Sequence, residues 1–266
     1  MPDDPVTPEK ILKECQRLGL DDRFTFQCSP QLSCFGHCCR DVTIVLTPYD
    51  VLRMKRSLGI DSSEFLEQYT LRLQNADQKF PIVILKMREE ESKRCQFLSD
   101  QGCGIYRDRP WACRMYPLGM AEPKATTPSD LPFHFVIRED LCQGHGEGVS
   151  LSVREWIECQ DIEEFEMMSG GFKELTLHDF WNSGRALTPQ EADMFYMACY
   201  DLDRFRRFVF ETRFLKLFDV DEARVEALRS DDQELLDFGM QWLRFSIFGE
   251  RSMKLRPGAA PQENRE

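Results

Sequence analysis

Apolar positions in the first half of the chain fall in runs too short for helices. Val42–Leu46, Pro81–Lys86 and Phe133–Arg138 are β-branched or aromatic in character, and each predicts a short strand. Two helical patterns interrupt them. Thr47-Pro48-Tyr49-Asp50 combines an N-cap, a proline at the first helical position and an acid in the first turn, and Gly59 ends that helix. Asp61-Ser62-Ser63-Glu64 repeats the logic as a capping box for a helix over Phe65–Leu73. After Gly148 the strand pattern stops. Ser152-Val153-Arg154-Glu155 caps a helix reaching Met168, which Gly170-Gly171 terminates, and Thr176-Leu177-His178-Asp179 opens a short one. Thr188-Pro189-Gln190-Glu191 starts a long helix through Phe218, with a break near Phe210; Asp221–Arg229 and Gln233–Phe248 supply the last two.

These elements predict an α+β fold, with a small irregular domain of short strands followed by an all-helical C-terminal region. The divisions expected are a lead-in over 1–25 with a helix at Pro8–Leu18, a cysteine-rich domain over 26–148, helices over 149–255 and a disordered tail over 256–266. No internal repeat appears.

Charge narrows the function classes. The 266 residues carry 34 Lys+Arg against 46 Asp+Glu, a formal net charge of −12, which argues against nucleic acid as a partner. No run approaches the length of a membrane helix, so no membrane partner is expected. The acidic, prolyl start MPDDPVTPEK lacks the pattern of a secretory signal, so the expected location is the reducing cytoplasm, where thiols stay thiols.

Cysteine is what changes the picture. Eight of the eleven, Cys28, Cys34, Cys38, Cys39, Cys95, Cys103, Cys113 and Cys142, lie within residues 28–142. Thiolates are soft ligands for zinc, copper(I) and iron–sulfur clusters, and four complete a tetrahedral site. Clustered thiolates without a cation would repel one another, whereas separate core cysteines have no reason to include a vicinal pair. If the segment is extended, Cys38 and Cys39 point to opposite faces and can serve two ions or bridge a multinuclear centre. The spacing fits no standard short-spaced zinc finger. It also fails the radical-enzyme pattern C-x3-C-x2-C, because Asp41 stands where a third cysteine would be required.

The segment FQCSPQLSCFGHCCRDVTIVLTPYDVLRM, then CQFLSDQGCGIYRDRPWACRMYPLG, then LCQGHGEG, resembles the YkgJ-type cysteine-cluster family, a zinc- or iron-chelating domain. The resemblance spans residues 26–148 and places the family's cysteines on the eight named above. It departs at the start, where five residues separate Cys28 from Cys34. The resemblance implies metal binding, with iron favoured. A related cluster in flagellin lysine methylases makes a protein-modifying enzyme a weaker alternative by analogy.

Around these cysteines, Arg109 and Arg114 are expected to offset thiolate charge and donate to sulfur, with Arg107 less committed, and Tyr116 to wall the site and offer a hydroxyl. His37 and His145 are weaker ligand candidates, and His134 and His178 are incidental. Cys15, Cys159 and Cys199 fall on helical patterns among apolar neighbours. The stretch from Asp203 to Phe210 presents apolar positions at 202, 205, 208 and 209, the mark of a core-packing helix. No catalytic residue is assigned, since no nucleophile, metalloprotease, P-loop or dinucleotide motif is present, and GHGEG lacks a phosphate-binding context. The function expected is a cytoplasmic metal-binding protein holding an iron–sulfur or iron–thiolate centre, with a redox or iron-handling role. The alternative is a zinc-stabilised interaction module.

Overall fold

Cysteines, glycines and prolines leave the N-terminal half little uninterrupted chain, and its strands are correspondingly short. The computed structural model describes residues 15–73, 78–121 and 132–258. The first segment contains β1 (Arg23–Phe26) and a 3-10 turn at His37–Cys39. Gly36 enters that turn at φ 72°, a left-handed conformation that glycine adopts without steric cost. After β2 (Val45–Leu46), α1 (Pro48–Leu58) opens on a reciprocal box: Thr47 accepts from the Asp50 N–H and the Asp50 carboxylate accepts from the Thr47 N–H. Asp61 caps α2 (Ser62–Tyr69), which runs directly into β3 (Thr70–Leu73). The helix expected over Phe65–Leu73 therefore ends early. Thr70 turns extended, and β3 pairs antiparallel with β4 (Ile82–Leu85) from Thr70↔Leu85 to Leu73↔Ile82. A sheet partner has outcompeted the last helical turn, as tertiary pairing commonly overrides local propensity.

Downstream come the two-residue strands β5 (Leu98–Ser99) and β6 (Gly102–Cys103), then α3 (Trp111–Met115), β7 (Leu118–Ala121) and β8 (Phe133–Val136). The glycine-rich run after Cys142, which was not among the expected strands, forms β9 (His145–Ser152), paired antiparallel with β1 through Arg23↔Ser152 and Phe24↔Leu151. Ser152 then caps α4 (Val153–Cys159) with a full capping box. The single helix expected through Met168 is interrupted by Asp161 at φ 53°, and resumes as α5 (Ile162–Met168). Gly170-Gly171 does not terminate a helix but opens α6 (Gly170–Thr176), followed by a 3-10 turn at Asp179–Ser183.

The long helix expected from Thr188 is three: α7 (Pro189–Cys199), α8 (Leu202–Glu211) and α9 (Phe214–Leu217). Asp201 causes the first break. Its carboxylate caps α8 by accepting from the Arg204 N–H, and also accepts from the hydroxyls of Ser62 and Ser63. The last two helices, α10 (Glu222–Ser230) and α11 (Asp232–Phe248), follow the sequence pattern closely. The helix expected at Pro8–Leu18 lies largely outside the described residues; its described end is not helical, and Leu18 bridges His134. Residues 259–266 of the expected disordered tail also lie outside them.

The fold is thus mixed, with short strands in the N-terminal half and helices in the C-terminal region. It divides into two units, Met1–Val42 with Met87–Phe165, and Thr43–Lys86 with Glu166–Glu266. The first packs Leu18, Phe26, Met115, Leu118, Val153, Trp156, Ile157 and Ile162 into a core. The second buries Phe195, Phe205, Phe238 and Trp242 among its helices and carries the sheet β2-β4-β3. Within it, the Lys55 ammonium, only 7% exposed, lies 2.8 Å from Asp203 and 3.2 Å from Asp232. Among the described residues, no helix is long and apolar enough to cross a membrane.

Candidate metal centre

All eleven cysteines are free thiols. The eight of the cluster are carried by turns and very short elements of the first unit. Cys28 lies in the irregular stretch after β1 and Cys34 in the turn that follows, Cys38 and Cys39 in the 3-10 turn, Cys103 on β6 and Cys113 in α3. The vicinal pair is not extended, as the opposite-face argument required. In the 3-10 turn the two thiols are hydrogen-bonded to each other, so they do not point to opposite faces.

The two nonetheless have different further neighbours among the thiols. Cys28 is pushed up to about 11 by burial first, and then by the charges of Cys38, Cys34 and Cys142. Those four line one cavity of about 660 Å³, shared with His37, Tyr116 and Glu139. Cys39 belongs elsewhere. Its thiol is raised by the hydrogen bond it shares with Cys38, by burial, and by the charges of Cys38, Cys113 and Cys95. Cys95 is raised by burial, and Cys103 is among the charges acting on it. The shared proton leaves Cys38 the more acidic partner, lowered to about 7 chiefly by the hydrogen bond from Cys39.

Backbone donors reach the sulfurs in both groups. The Gln143 N–H donates to Cys34 Sγ at 3.3 Å. The N–H groups of Phe97 and Leu98 bond to Cys95, and that of Ile105 to Cys103; each opposes the upward push of burial. Such donors favour a charged sulfur and tune a metal-bound one. Sequence gave no sign of them, because any residue but proline can supply an amide. The loop after Cys142 comes close to the strand leading to Cys28 because Gly144 has no side chain: a Cβ there would stand 2.7 Å from the Gln27 carbonyl oxygen.

The second set of predicted residues sorts differently. The Tyr116 hydroxyl is hydrogen-bonded to Cys142 and lies 3.2 Å from Glu139 Oε2. Burial, the bond to Cys142 and the Glu139 charge hold the phenol far above its ordinary range. Arg109 stacks 3.8 Å over the Tyr106 ring, donates to the Tyr106 carbonyl at 2.5 Å and to Gln160 Oε1, and its charge favours the Cys103 thiolate. Arg114, 2% exposed, donates to the carbonyls of Arg107, of Arg109 at 3.1 Å and of Gln160 at 2.8 Å. It ties the segment carrying Cys113 to the end of α4.

The discounted residues occupy ordinary places. His145 packs against Phe26 with centroids 5.3 Å apart, and its buried Nε2 has no hydrogen-bond partner. Burial first, then Arg138, hold its imidazole below the usual histidine range. His178 caps the 3-10 turn at Asp179–Ser183 and meets Glu250 at 2.8 Å. Cys199 is wholly buried, and Cys159 Sγ donates to the Trp156 carbonyl at 3.3 Å. In α8, Leu202, Phe205 and Val209 are buried, as the core-packing pattern requires.

By donor chemistry these thiols, with amide donors around them, suit a soft cation. Among the described residues, no three or more His, Cys, Asp or Glu side chains are already gathered as a metal ion would need them. Residues 27–143 match the family model CxxCxxCC, described as "Putative zinc- or iron-chelating domain". No curated protein matches the chain, and neither does any solved structure.

Proposed function

We propose that the CxxCxxCC-family domain at residues 27–143 binds metal at two centres, one held by Cys28, Cys34, Cys38 and Cys142, the other by Cys39, Cys95, Cys103 and Cys113. The observation that supports this reading is that Cys28, Cys34, Cys38 and Cys142 line one cavity, while Cys39, hydrogen-bonded to Cys38, is held at 2.8 Å through its carbonyl by the Cys95 N–H. The thiols close around the ion on binding, and the short turns that carry most of them accommodate that movement. The centres are iron–sulfur or iron–thiolate, and their use is redox or iron handling in the cytoplasm. Iron is favoured by the surroundings: amide N–H groups aimed at Cys34, Cys95 and Cys103, the Tyr116 hydroxyl at Cys142 and the Arg109 charge near Cys103 all stabilise a reduced, more negative centre. When bound, such a centre supplies one-electron chemistry; the chain's own residues supply ligands, hydrogen bonds and charge.

A second reading rests on the same division. Two fours is also the ligand count of two structural zinc sites, which would hold this loop-rich unit together for contact with another protein. Anaerobic purification followed by a visible spectrum and assays of iron, zinc and acid-labile sulfide separates the two. Bound iron with charge-transfer absorption supports the first, and a colourless protein with two zinc ions per chain supports the second. Cys38→Ser and Cys113→Ser should each lower metal content, and unchanged stoichiometry in both would overturn the two-centre assignment.

A further inference from the structure

Cys113 stands on a helix that cannot hold itself. α3 runs only from Trp111 to Met115, five residues, and a single turn does not repay the entropy of its own formation. Its position is fixed from outside, by the end of α4. The Trp156 indole N–H donates to the Met115 carbonyl at 3.3 Å. Arg114, buried over the Phe165 ring, gathers the carbonyls of Arg107 and Arg109 and donates to the Gln160 carbonyl at 2.8 Å. Arg109, 8% exposed, donates to Gln160 Oε1 on one side and to the Tyr106 carbonyl on the other. Gln160 therefore meets both guanidiniums that flank Cys113, one with its main chain and one with its side chain. It is placed to do so because α4 ends at Cys159 and Asp161 turns the chain at φ 53°. Carbonyls at a helix C-terminus have no partner within the helix, and Arg114 takes this one.

Resting on the reading of Cys113 as a metal ligand, we propose that Gln160 is a positioning residue of the metal site, acting on Cys113 through Arg109 and Arg114 rather than on the ion. It lies beyond residues 27–143, so chain outside the family domain completes the framework of the site. The argument turns on the near-complete burial of Arg109. A guanidinium cannot shed its charge, so removing the Gln160 oxygen leaves it one acceptor short, at a cost that a shift of residues 106–110 relieves. That shift draws the Arg109 carbonyl away from Arg114 Nε and moves the start of α3, and Cys113 loses its place. The bond from Arg114 to the Gln160 main chain does not depend on the Gln160 side chain, and the core around Trp156 and Met115 does not include it. The effect is therefore local to the Cys113 segment.

The test compares, in the full chain, Gln160→Leu, which is close in size but has no acceptor, with Gln160→Glu, which keeps an oxygen for Arg109. Zinc affinity is read by competition with a chromophoric chelator. The thiols of the reduced, metal-free chain are labelled with iodoacetamide, and the rate at each cysteine is followed by mass spectrometry. Gln160→Leu should weaken zinc binding by about tenfold, the order expected when a group that orients a metal ligand is lost. It should also speed labelling of Cys113 while Cys28 and Cys34 keep their rates, and Gln160→Glu should restore both properties. Unchanged zinc affinity in Gln160→Leu would overturn the proposal. So would faster labelling at Cys28 and Cys34 as well as Cys113, which is the mark of a general loosening. If Gln160→Leu does not fold, Gln160→Asn, which draws the same oxygen back by one methylene, is held to the same outcomes. An unmutated chain that binds neither zinc nor iron would overturn the reading of Cys113 as a ligand and this inference with it, whereas binding insensitive to residue 160 overturns this inference alone.

Discussion

In the unit formed by Thr43–Lys86 and Glu166–Glu266, Phe205 stacks on Trp242 with centroids 5.5 Å apart, and Phe214 meets both Phe238 and Trp242 at 5.7 Å. In the unit formed by Met1–Val42 and Met87–Phe165, apolar packing gathers around β1, β7 and α4, while the segments bearing Cys28–Cys39 and Cys95–Cys113 depend on turns and two-residue strands. Burial of large aromatic rings stabilises the first kind of structure without any further component. The second kind holds its cysteines on irregular chain and very short elements, and the metal binding proposed above would add to their stability. The difference teaches where each unit should break.

Metal removal should have the largest effect. Structural zinc in small thiolate sites contributes on the order of 10 kcal/mol, so a chelator should abolish hydrogen-exchange protection around residues 28–42 and 95–113 while α7 to α11 keep theirs. Equal loss of protection in both units would end the contrast. Next is Phe205→Ala, expected to destabilise the helical unit by about 3–5 kcal/mol in urea unfolding, with metal content unchanged. A cost below about 1 kcal/mol would show that the aromatic cluster is not what holds this unit.

The buried ion pairs give a smaller effect with a pH signature. Lys55→Ala should cost about 3 kcal/mol, because the buried Asp232 and the half-buried Asp203 would be left with fewer cations. Burial pushes both carboxyls up, but Lys55 and the Ser62 N–H outweigh it at Asp203, and Arg206 and Lys55 at Asp232, so both are held below the ordinary carboxylate range. Their contribution is therefore fully present above the unfolded carboxylate pKa and is lost as pH falls through the depressed folded values. Acid titration of thermal stability should show this loss in the unmutated chain and a weaker one in Lys55→Ala. An identical acid slope in both proteins would refute the assignment. The smallest effects compare two helix caps. Ser152→Ala and Thr188→Ala each remove a capping box and should each cost about 1 kcal/mol. The first should register in the transition of the metal-binding unit and the second in that of the helical unit; both appearing in one transition would merge the two.

Helix starts were the most legible part of the sequence, because a cap is a local device: the boxes at Thr47, Ser152 and Thr188 form as the residues suggest. What depends on a distant partner was not legible. Thr70–Leu73 becomes a strand through β4, the run at His145–Ser152 through β1, and the break at Asp201 through Ser62 and Ser63. The same limit applies to the site. Composition and order single out the eight cysteines, and Tyr116 meets Cys142. Spacing alone does not encode which four thiols share a group, and the amides of Phe97, Ile105 and Gln143 carry no residue-type signature.

The segment Thr43–Lys86 interrupts the metal-binding unit in the chain, and this sets an order of assembly during synthesis. In the two-centre assignment proposed above, the first group takes three thiols from before the interruption and Cys142 from after it; the second takes Cys39 from before and Cys95, Cys103 and Cys113 from after. Neither group can be filled while only the N-terminal cysteines have emerged from the ribosome. The second is complete once Cys113 has been made, and the first must wait for Cys142. A nascent chain would thus present Cys28, Cys34, Cys38 and Cys39 before the stretch carrying Cys95, Cys103, Cys113 and Cys142 arrives.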